Sequence, residues 1–510
     1  MGKGKQLSIN LIAQLMSFAL NLGISFFLTP FVIEYIGKDV YGFVSLANNF
    51  TSYVSVFTVA LNGILNRYVT IAFSKKDYQS ASKYLSTVLF ANCAVMILLL
   101  PISITFVAKL ESFINLPQGF EMDIKILFLL TFVSFLLNLP GCCYNSATYA
   151  TNRLDKSNLC NMIGSIIRIA IIMVLLLTMT PHVWYVGFGA LISTLFIVCM
   201  NMRYKKQLMP QVEISIHHFD GGLVKELLGV GIWNSVNQLT QLLMTGLDLI
   251  IANLFIGVMG MNLLSYAKMI PTQLLSLIST IAGLFAPLMT MAYASNDTKE
   301  FVRETNFSIK LCGFLCCVPV VGLVVFGEDF FGLWLKALTA EEVHTVAVLS
   351  VLTILPQIIS VYIYPLYSVN TITTKLRIPV LVSFTLGIAN VVMVFILVQV
   401  TNLGVYAVAG VSTVLSIFRI LLFAPMYAAH SIQVPYSTFY KPLGRGLVSS
   451  LVMTIAFVGI RSIAEINCWF NFFLTCILAG ILGYIIAFGI VFSKVERKKV
   501  INVIKNKLRR

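Results

Sequence analysis

The stretch NSVNQLTQLLMTGLD, residues 234–248, interrupts a run of sequence that is otherwise apolar enough to lie in lipid. Its polar side chains recur every three or four residues, which places them on one face of an α-helix. Apolar residues occupy the rest of the helix surface. The spacing therefore predicts a membrane-spanning helix with one wet face, formed by Asn234, Gln238, Gln241, Thr245 and Asp248.

Composition extends this interpretation to the whole chain. Of its 510 residues, 58% are hydrophobic and 11% are charged, which excludes the soluble globular class. Apolar segments of about 20 residues, the length that crosses a bilayer, recur along the chain. We predict an all-α integral membrane protein of about 14 transmembrane helices, with centres near residues 20, 53, 95, 133, 168, 193, 242, 274, 316, 360, 389, 415, 453 and 480.

The net charge of +15 is distributed unevenly between the loops. If the N-terminus is cytoplasmic, 27 of the 35 Lys and Arg residues fall on the cytoplasmic side and five fall on the outer side. This bias follows the positive-inside rule. We therefore attribute the positive charge to membrane orientation and not to nucleic-acid binding, and we predict that both termini are cytoplasmic.

The chain also contains signs of an internal repeat. An offset of 220 residues aligns residues 12–83 with residues 232–303 and gives ten identities. Polar residues are rare here, yet Gln14 falls on Asn234 and Asn21 falls on Gln241. Because span 1 and span 7 begin on the same side, the predicted repeat is parallel, with its axis along the membrane normal.

The longest predicted cytoplasmic loop divides the first twelve spans into two groups of six. We predict two six-helix lobes related by the repeat, followed by an extra helix pair. The basic C-terminal tail has apolar residues at helical spacing and is predicted to lie on the inner membrane surface. The predicted divisions are the first lobe at 1–202, a linker at 203–226, the second lobe at 227–430, spans 13 and 14 at 431–493, and the tail at 494–510.

Four ionisable residues fall deep inside predicted spans, where a charge is costly and usually faces a cavity or a partner. They are Arg168, Asp248, Lys268 and Arg419. Asp248 and Lys268 flank one outer loop at similar depth, so two interpretations stay open: an ion pair that fixes span 7 against span 8, or a substrate- or ion-binding site. For the two arginines, the alternative to a site is snorkelling to the membrane surface.

The formal charges of these four residues sum to +2, and a cavity with that balance attracts anions. Phosphate or pyrophosphate fits, because guanidinium groups bind phosphate oxygens and lysine adds a point charge. We predict a central cavity in which Arg168, Lys268 and Arg419 attract the substrate and Asp248 couples transport to an ion. Amides on the wet faces would replace water around polar groups of the substrate, namely Gln14, Asn21, Asn234 and Gln241.

Motifs for catalysis are missing from the sequence. There is no GxxxxGK[ST] phosphate-binding loop, and no outer loop gathers His, Asp or Glu into a catalytic set. The ten cysteines are scattered, mostly in spans, and we interpret them as small apolar residues that fill space. We predict no enzymatic activity, no metal site and no cofactor, which disfavours a membrane-bound polymerase or ligase.

One segment resembles a family of transporters. NRYVTIAFSKKDYQSASKY, residues 66–84, is similar to the arginine, small-residue helix and basic-Asp turn that follow span 2 in the polysaccharide-transport branch of the multidrug/oligosaccharidyl-lipid/polysaccharide (MOP) superfamily. APLMTMAYASNDTKEFVRE, residues 286–304, repeats this pattern after span 8, with Pro287 where Arg67 would be. The resemblance covers nearly the whole chain.

The resemblance implies a MATE-like fold of two lobes around a lumen, located in a bacterial plasma membrane and working by alternating access. Members of the branch include O-antigen and capsule flippases. The implied substrate is therefore a polyprenyl-pyrophosphate-linked oligosaccharide for lipopolysaccharide or other polysaccharide biosynthesis, moved at the expense of an H+ or Na+ gradient. Polysaccharide assembly proteins are further implied partners. The alternative is a cation-coupled multidrug exporter, for which we expect a more acidic cavity.

Overall fold

The computed structural model describes residues 3–294, 297–373, 375–494 and 496–498. Within these ranges every regular element is a helix, which confirms the all-α class. The chain divides into two compact units, Met1–Asn262 and Leu263–Arg510. Most of the C-terminal tail lies outside the described residues, so its predicted surface helix stays a prediction.

The first unit is built from long helices joined by short turns. A π-helical turn, Leu242–Gly246, joins α8 to α9. The core of this unit includes Leu85, Val88 and Ala147, which are fully buried. The helices are α1 (Lys3–Ile36), α2 (Lys38–Ser74), α3 (Tyr78–Ala108), α4 (Glu121–Gly141), α5 (Ser146–Ala150), α6 (Leu154–Thr178), α7 (Trp184–Leu208), α8 (Gly221–Gln241) and α9 (Asp248–Phe255).

The second unit begins inside α10 and contains the remaining helices. A second π-helical turn, Arg419–Phe423, joins α15 to α16. The core includes Ile278, Cys316 and Phe457. The helices are α10 (Val258–Gly283), α11 (Ala286–Ala294), α12 (Thr298–Trp334), α13 (Ala340–Ile372), α14 (Arg377–Val400), α15 (Val405–Phe418), α16 (Ala424–Ser431), α17 (Tyr440–Ile463) and α18 (Trp469–Val491).

The number of spans agrees with the prediction. Among the described residues, 13 helical segments are long and apolar enough to cross a membrane, and each contains one predicted centre. The centre near residue 53 falls in α2, which is bent by 65° between Val56 and Thr58. Counting this bent helix as one span gives up to 14. The chain is thus a multi-pass membrane protein.

Two pairs of residues that the 220-residue offset aligns have matching local structure. Gly37 precedes α2 with φ +98°, and Gly257, at the equivalent position, precedes α10 with φ +109°. Glycine suits both turns because it adopts positive φ without a steric cost. Asp77 caps α3 by accepting a hydrogen bond from the Ser80 amide, and its equivalent Asp297 caps α12 in the same way. The 220-residue offset therefore aligns matching turns and helix starts.

Close contact between α2 and α8 depends on small residues. A Cβ atom on Gly231 would lie 1.9 Å from the carbonyl oxygen of Ala60, so only glycine fits there. One turn later, Ser235 Oγ donates a hydrogen bond to the carbonyl of Val56 at 2.5 Å. Small side chains let membrane helices approach closely. This contact packs span 7 into the first compact unit, although the sequence repeat assigns it to the second lobe; the lobe boundaries stay a prediction.

Candidate functional site

The predicted wet face of α8 lies open. Asn234 and Gln241 are exposed, and Gln238 between them is half-buried. On the other side of the contact with α2 lie the exposed apolar side chains of Ile232 and Leu239. The two exposed flanks of α8 thus differ in polarity, which suits one flank to water and the other to lipid.

The π-helical turn changes the register at the end of this face. A π-helical turn carries an extra residue compared with an α-helical one, so the residues after it are rotated around the axis. Thr245, inside the turn, is exposed, whereas Asp248 is only 1% exposed. The prediction that all five polar residues share one open face is therefore wrong for Asp248.

Asp248 instead lies beside α2 within the first unit. Tyr53 of α2 is close enough to the Asp248 carboxylate for an electrostatic interaction. The Tyr53 hydroxyl donates to the carbonyl of Gly246 at 2.6 Å, and Asn49 Nδ2 donates to the same carbonyl at 3.4 Å. These bonds hold the π-helical turn and give Asp248 a fixed, buried position. Its role in ion coupling stays a prediction.

The two predicted amides of α1 have different surroundings. Gln14 is exposed, whereas Asn21 is half-buried. Asn21 Nδ2 donates to the carbonyl of Ser17 at 2.8 Å. Asn21 Oδ1 accepts a hydrogen bond from Ser165 Oγ at 2.9 Å. Since Ser165 belongs to α6, this bond ties α1 to the helix that carries Arg168.

Arg168 lies one turn beyond Ser165 and is half-buried. Tyr41 of α2, whose hydroxyl lies 3.1 Å from that of Thr29, lies near the Arg168 guanidinium. The Arg168 Nε atom is buried and has no hydrogen-bond partner within the described residues. We call Arg168, Asn21, Ser165 and Tyr41 the Arg168 cluster. Its groups other than the guanidinium are neutral, so the positive charge is available to an anion.

Arg419 forms a comparable cluster in the second unit. It begins the π-helical turn after α15, and its Nη1 donates to Ser383 Oγ of α14 at 3.2 Å. Its Nε is also buried and, among the described residues, without a hydrogen-bond partner. Tyr364 of α13 lies near both Arg419 and Ser279 of α10. We call Arg419, Ser383, Tyr364 and Ser279 the Arg419 cluster.

Lys268 lies half-buried on α10 of the second unit, at one end of a polar stripe. Thr272, Ser276 and Ser279 follow it at intervals of four, four and three residues, which places them on the same helix face. Thr272 and Ser276 are exposed. The sequence interpretation identified Lys268 as a candidate but missed the row of hydroxyl residues that follows it. We call Thr272, Ser276 and Ser279 the hydroxyl stripe.

Sequence reasoning missed most of the neutral residues in the two arginine clusters. Ser165 carries a usable signal, because it lies three residues before Arg168 and hence on the same helix face. Tyr41 and Ser383 carry none, since they lie on other helices and only packing brings them close.

The described residues contain no group of three or more His, Cys, Asp or Glu side chains arranged to hold a metal ion.

Similarity to known proteins agrees with this architecture. The chain matches no family model. A protein of Bacillus subtilis strain 168, described as the uncharacterized membrane protein EpsK, is 27% identical over 497 residues and covers 97% of each chain.

Several solved structures share the fold. The lipid II flippase MurJ, in an inward closed conformation, superposes with a TM-score of 0.65 at 17% identity, covering 93% of this chain and 97% of that one. An inward-facing MATE multidrug resistance transporter of the MOP superfamily gives a TM-score of 0.64 at 14% identity, covering 84% and 98%. A MOP transporter from Pyrococcus furiosus, described as having a binding pocket of reversed polarity, gives 0.60 at 15%, covering 84% and 96%. The chain therefore has the fold of MOP-superfamily transporters.

Proposed function

We propose that this chain is a flippase for a polyprenyl-pyrophosphate-linked oligosaccharide in a bacterial plasma membrane. Such a substrate combines an anionic head, a polar glycan and an apolar tail. Its transfer from the inner to the outer leaflet requires cations and hydrogen-bonding groups inside the membrane. Alternating access between the two predicted lobes, driven by an H+ or Na+ gradient, would expose these groups first to one side and then to the other.

The observation that carries this proposal is the pair of arginine clusters. Within the described residues, Arg168 lies near the neutral Tyr41, Arg419 donates to the neutral Ser383, and neither Nε has a hydrogen-bond partner. A buried cation is costly unless a counter-charge arrives. Guanidinium groups bind phosphate oxygens in a fixed, often bidentate geometry. A pyrophosphate head would supply that counter-charge during passage.

The main alternative is a cation-coupled multidrug exporter, since MATE transporters share this fold. The fold does not separate the two functions: one of its solved examples is described as a lipid II flippase and another by a pocket of reversed polarity that suggests a different function. The two clusters favour the flippase, because a cationic drug would be repelled by Arg168 and Arg419.

Deletion of the gene tests the proposal directly. We expect the mutant to accumulate lipid-linked oligosaccharide on the cytoplasmic leaflet, and a plasmid copy of the gene to reverse this. The leaflet distribution is measured by access of a membrane-impermeant glycan-oxidising reagent in intact and lysed cells. An unchanged distribution, combined with new sensitivity to cationic drugs, would favour the multidrug exporter.

Substitutions of Asp248 and Lys268 test whether these residues couple transport to the ion gradient. Lys268→Gln should block transport at normal protein abundance, whereas Lys268→Arg should retain part of it because the charge is kept. Under the proposal, protonation of Asp248 changes the charge presented to the substrate and so links transport to the gradient. The double exchange Asp248→Lys with Lys268→Asp should then be inactive. Full activity of that variant would show that the two residues are purely structural.

A further inference from the structure

The hydroxyl stripe of α10 presents hydrogen-bond acceptors. Thr272 donates to the carbonyl of Lys268 at 2.7 Å, and Ser276 donates to the carbonyl of Thr272 at 3.1 Å. Ser279 donates to the carbonyl of Ser276 at 2.9 Å. Because each hydroxyl proton is used within the helix, the remaining lone pairs of the oxygens point outward as acceptors. The stripe therefore fits a ligand rich in hydroxyl donors.

Helix α13 places two tyrosine rings beside this stripe. Tyr364 and Tyr367 are half-buried, and their ring centroids lie 5.3 Å apart at an interplanar angle of 85°. Tyr364 also lies near Ser279 and Arg419. This position places the Tyr364 hydroxyl among polar groups of the unit rather than among lipid headgroups. A tyrosine ring combines an apolar face with a polar tip, as a sugar ring does with its C–H face and its hydroxyls.

The side chain of Gln357 gives independent evidence that a hydrogen-bond donor binds here. It lies two helical turns before Tyr364 on α13, hence on the same face, and it is only 6% exposed. Its Nε2 donates to the carbonyl of Pro271, the residue next to Thr272, at 2.8 Å. Its Oε1 has no hydrogen-bond partner among the described residues. A buried acceptor without a partner is unfavourable, so a hydroxyl donor entering here would be stabilised.

The charges on α10 and α13 also restrict the kind of ligand that can bind beside these helices. From Thr272 to Gly283 on α10 and from Thr353 to Ile372 on α13, the sequence contains no Asp, Glu, Lys or Arg. Basic residues near these segments are Arg419, beside Tyr364, and Lys268, one helical turn before Thr272. A neutral glycan with an anionic group at one end matches this distribution, whereas a cationic ligand has no counter-charge on either helix segment.

We propose that α10 and α13 form a carbohydrate-binding surface for the glycan of the transported lipid, an assignment that rests on the flippase function above. Tyr364 and Tyr367 contact the C–H faces of sugar rings, and the oxygens of Thr272, Ser276 and Ser279 accept hydrogen bonds from sugar hydroxyls. Arg419 binds the phosphate end. The surface thus acts on the sugar portion, and its loss affects long glycans more than short ones.

The test compares glycan length in purified protein reconstituted into liposomes. The probes are the lipid-linked oligosaccharide extracted from cells that lack this gene, and the same lipid trimmed enzymatically to one sugar. Tyr364→Leu and Tyr367→Leu should slow flipping of the full-length lipid by about fivefold to tenfold and that of the one-sugar lipid less than about twofold. Tyr364→Phe, which keeps the ring, should lose less than Tyr364→Leu. Tyr436→Leu, an exposed tyrosine elsewhere in the same unit, is the matched control.

A binding measurement separates this proposal from the flippase function. The free oligosaccharide, released from its carrier by mild acid, should give saturation-transfer NMR signals with the wild-type protein in nanodiscs and weaker signals with Tyr364→Leu. Binding without flipping by the wild type would refute the flippase function and leave the surface in place. Flipping that is equally fast in Tyr364→Leu, Tyr367→Leu and wild type, or equally slowed for both lipids, would overturn the carbohydrate-binding surface.

Discussion

Tyr362 shows how tightly the second unit is packed around a single side chain. Its ring is fully buried and lies between Gly313 of α12 and Gly446 of α17. A Cβ atom on either glycine would lie 2.0 Å or 2.4 Å, respectively, from the ring. Because both glycines lie against the Cδ1–Cε1 edge of this buried ring, a new methyl group at either position would clash with the ring. Tyr362 therefore joins α17 to the rest of this unit, while Tyr364, two residues later, belongs to the Arg419 cluster.

We expect Gly446→Ala to lower the Tm of the purified protein in detergent. Overpacking costs about 1–3 kcal/mol, which exceeds the roughly 0.5–1 kcal/mol that alanine gains over glycine in a helix. Gly444→Ala is the matched control, because Gly444 lies on the same helix and a Cβ atom there meets nothing within 4 Å. That control should keep or raise the Tm. A Tm for Gly446→Ala that equals that of Gly444→Ala would show that the ring can yield.

The arginine clusters give a second prediction at this scale. Arg168→Gln and Arg419→Gln should each reduce flipping by about tenfold or more, since a charge-assisted hydrogen bond to phosphate contributes about 1.5–3 kcal/mol. Arg→Lys at either position should retain part of the activity, because the charge remains but the forked geometry is lost. Ser383→Ala, which removes one hydrogen bond made by Arg419 but keeps the guanidinium, should cost less. The measurement is the leaflet distribution of the lipid-linked oligosaccharide at equal protein abundance. Full transport by Arg168→Gln would contradict the prediction.

At the scale of helices, the sequence was sufficient wherever a regular period decides the structure. Apolar runs located the spans, and the 220-residue offset aligned the turns at Gly37 and Gly257. It was insufficient where one residue breaks the period. The π-helical turn before Asp248 rotates that residue off the wet face, and the bend of α2 near Val56 occurs without a proline. Both features depend on contacts with another helix, which a single-sequence pattern does not contain.

The start of α8 shows how the predicted linker is attached. Asp220 Oδ1 accepts from the amides of Gly222 and Leu223 at 2.8 Å and 3.2 Å, and Asp220 Oδ2 lies 2.7 Å from Lys83 Nζ of α3. The hydrogen bond from Lys83, followed by those from the two amides, lowers the pKa of Asp220 from its usual value. A carboxylate with a lowered pKa stabilises the folded state fully above the unfolded-state pKa of about 3.9 and loses this effect as the pH falls through its folded pKa.

We therefore expect hydrogen-exchange protection of the first turn of α8 to be constant from about pH 7 to about pH 5 and to decrease only below about pH 4. Asp220→Ala should reduce this protection at pH 7, because it removes both the helix cap and the ion pair. Lys83→Met removes the ion pair alone and should have a smaller effect. The measurement is deuterium uptake by peptides that cover residues 209–228, corrected for intrinsic exchange. Equal uptake in wild type and Asp220→Ala at pH 7 would show that the linker is held by other contacts.

For the whole molecule, charge placement carries the prediction of orientation. The predicted side of each loop follows from the 27-to-5 distribution of basic residues. Exposed positions on each predicted side make it testable. Lys441 and Lys206 are exposed on the predicted cytoplasmic side, and Lys336 and Cys468 are exposed on the predicted outer side. Lys205 is unsuitable, because it is 8% exposed and its Nζ donates to the carbonyl of Val212.

Single-cysteine variants in a background that lacks the other native cysteines would establish the orientation. A membrane-impermeant maleimide should label Cys468 and Lys336→Cys in intact cells, and Lys206→Cys and Lys441→Cys only after permeabilisation. The positive-inside rule is the physical reason, since short basic loops are retained on the cytoplasmic side. Strong labelling of Lys441→Cys in intact cells would invert the topology. The same inversion would place the basic linker outside, where the lipid-linked substrate is released rather than loaded, and would reverse the transport direction proposed here.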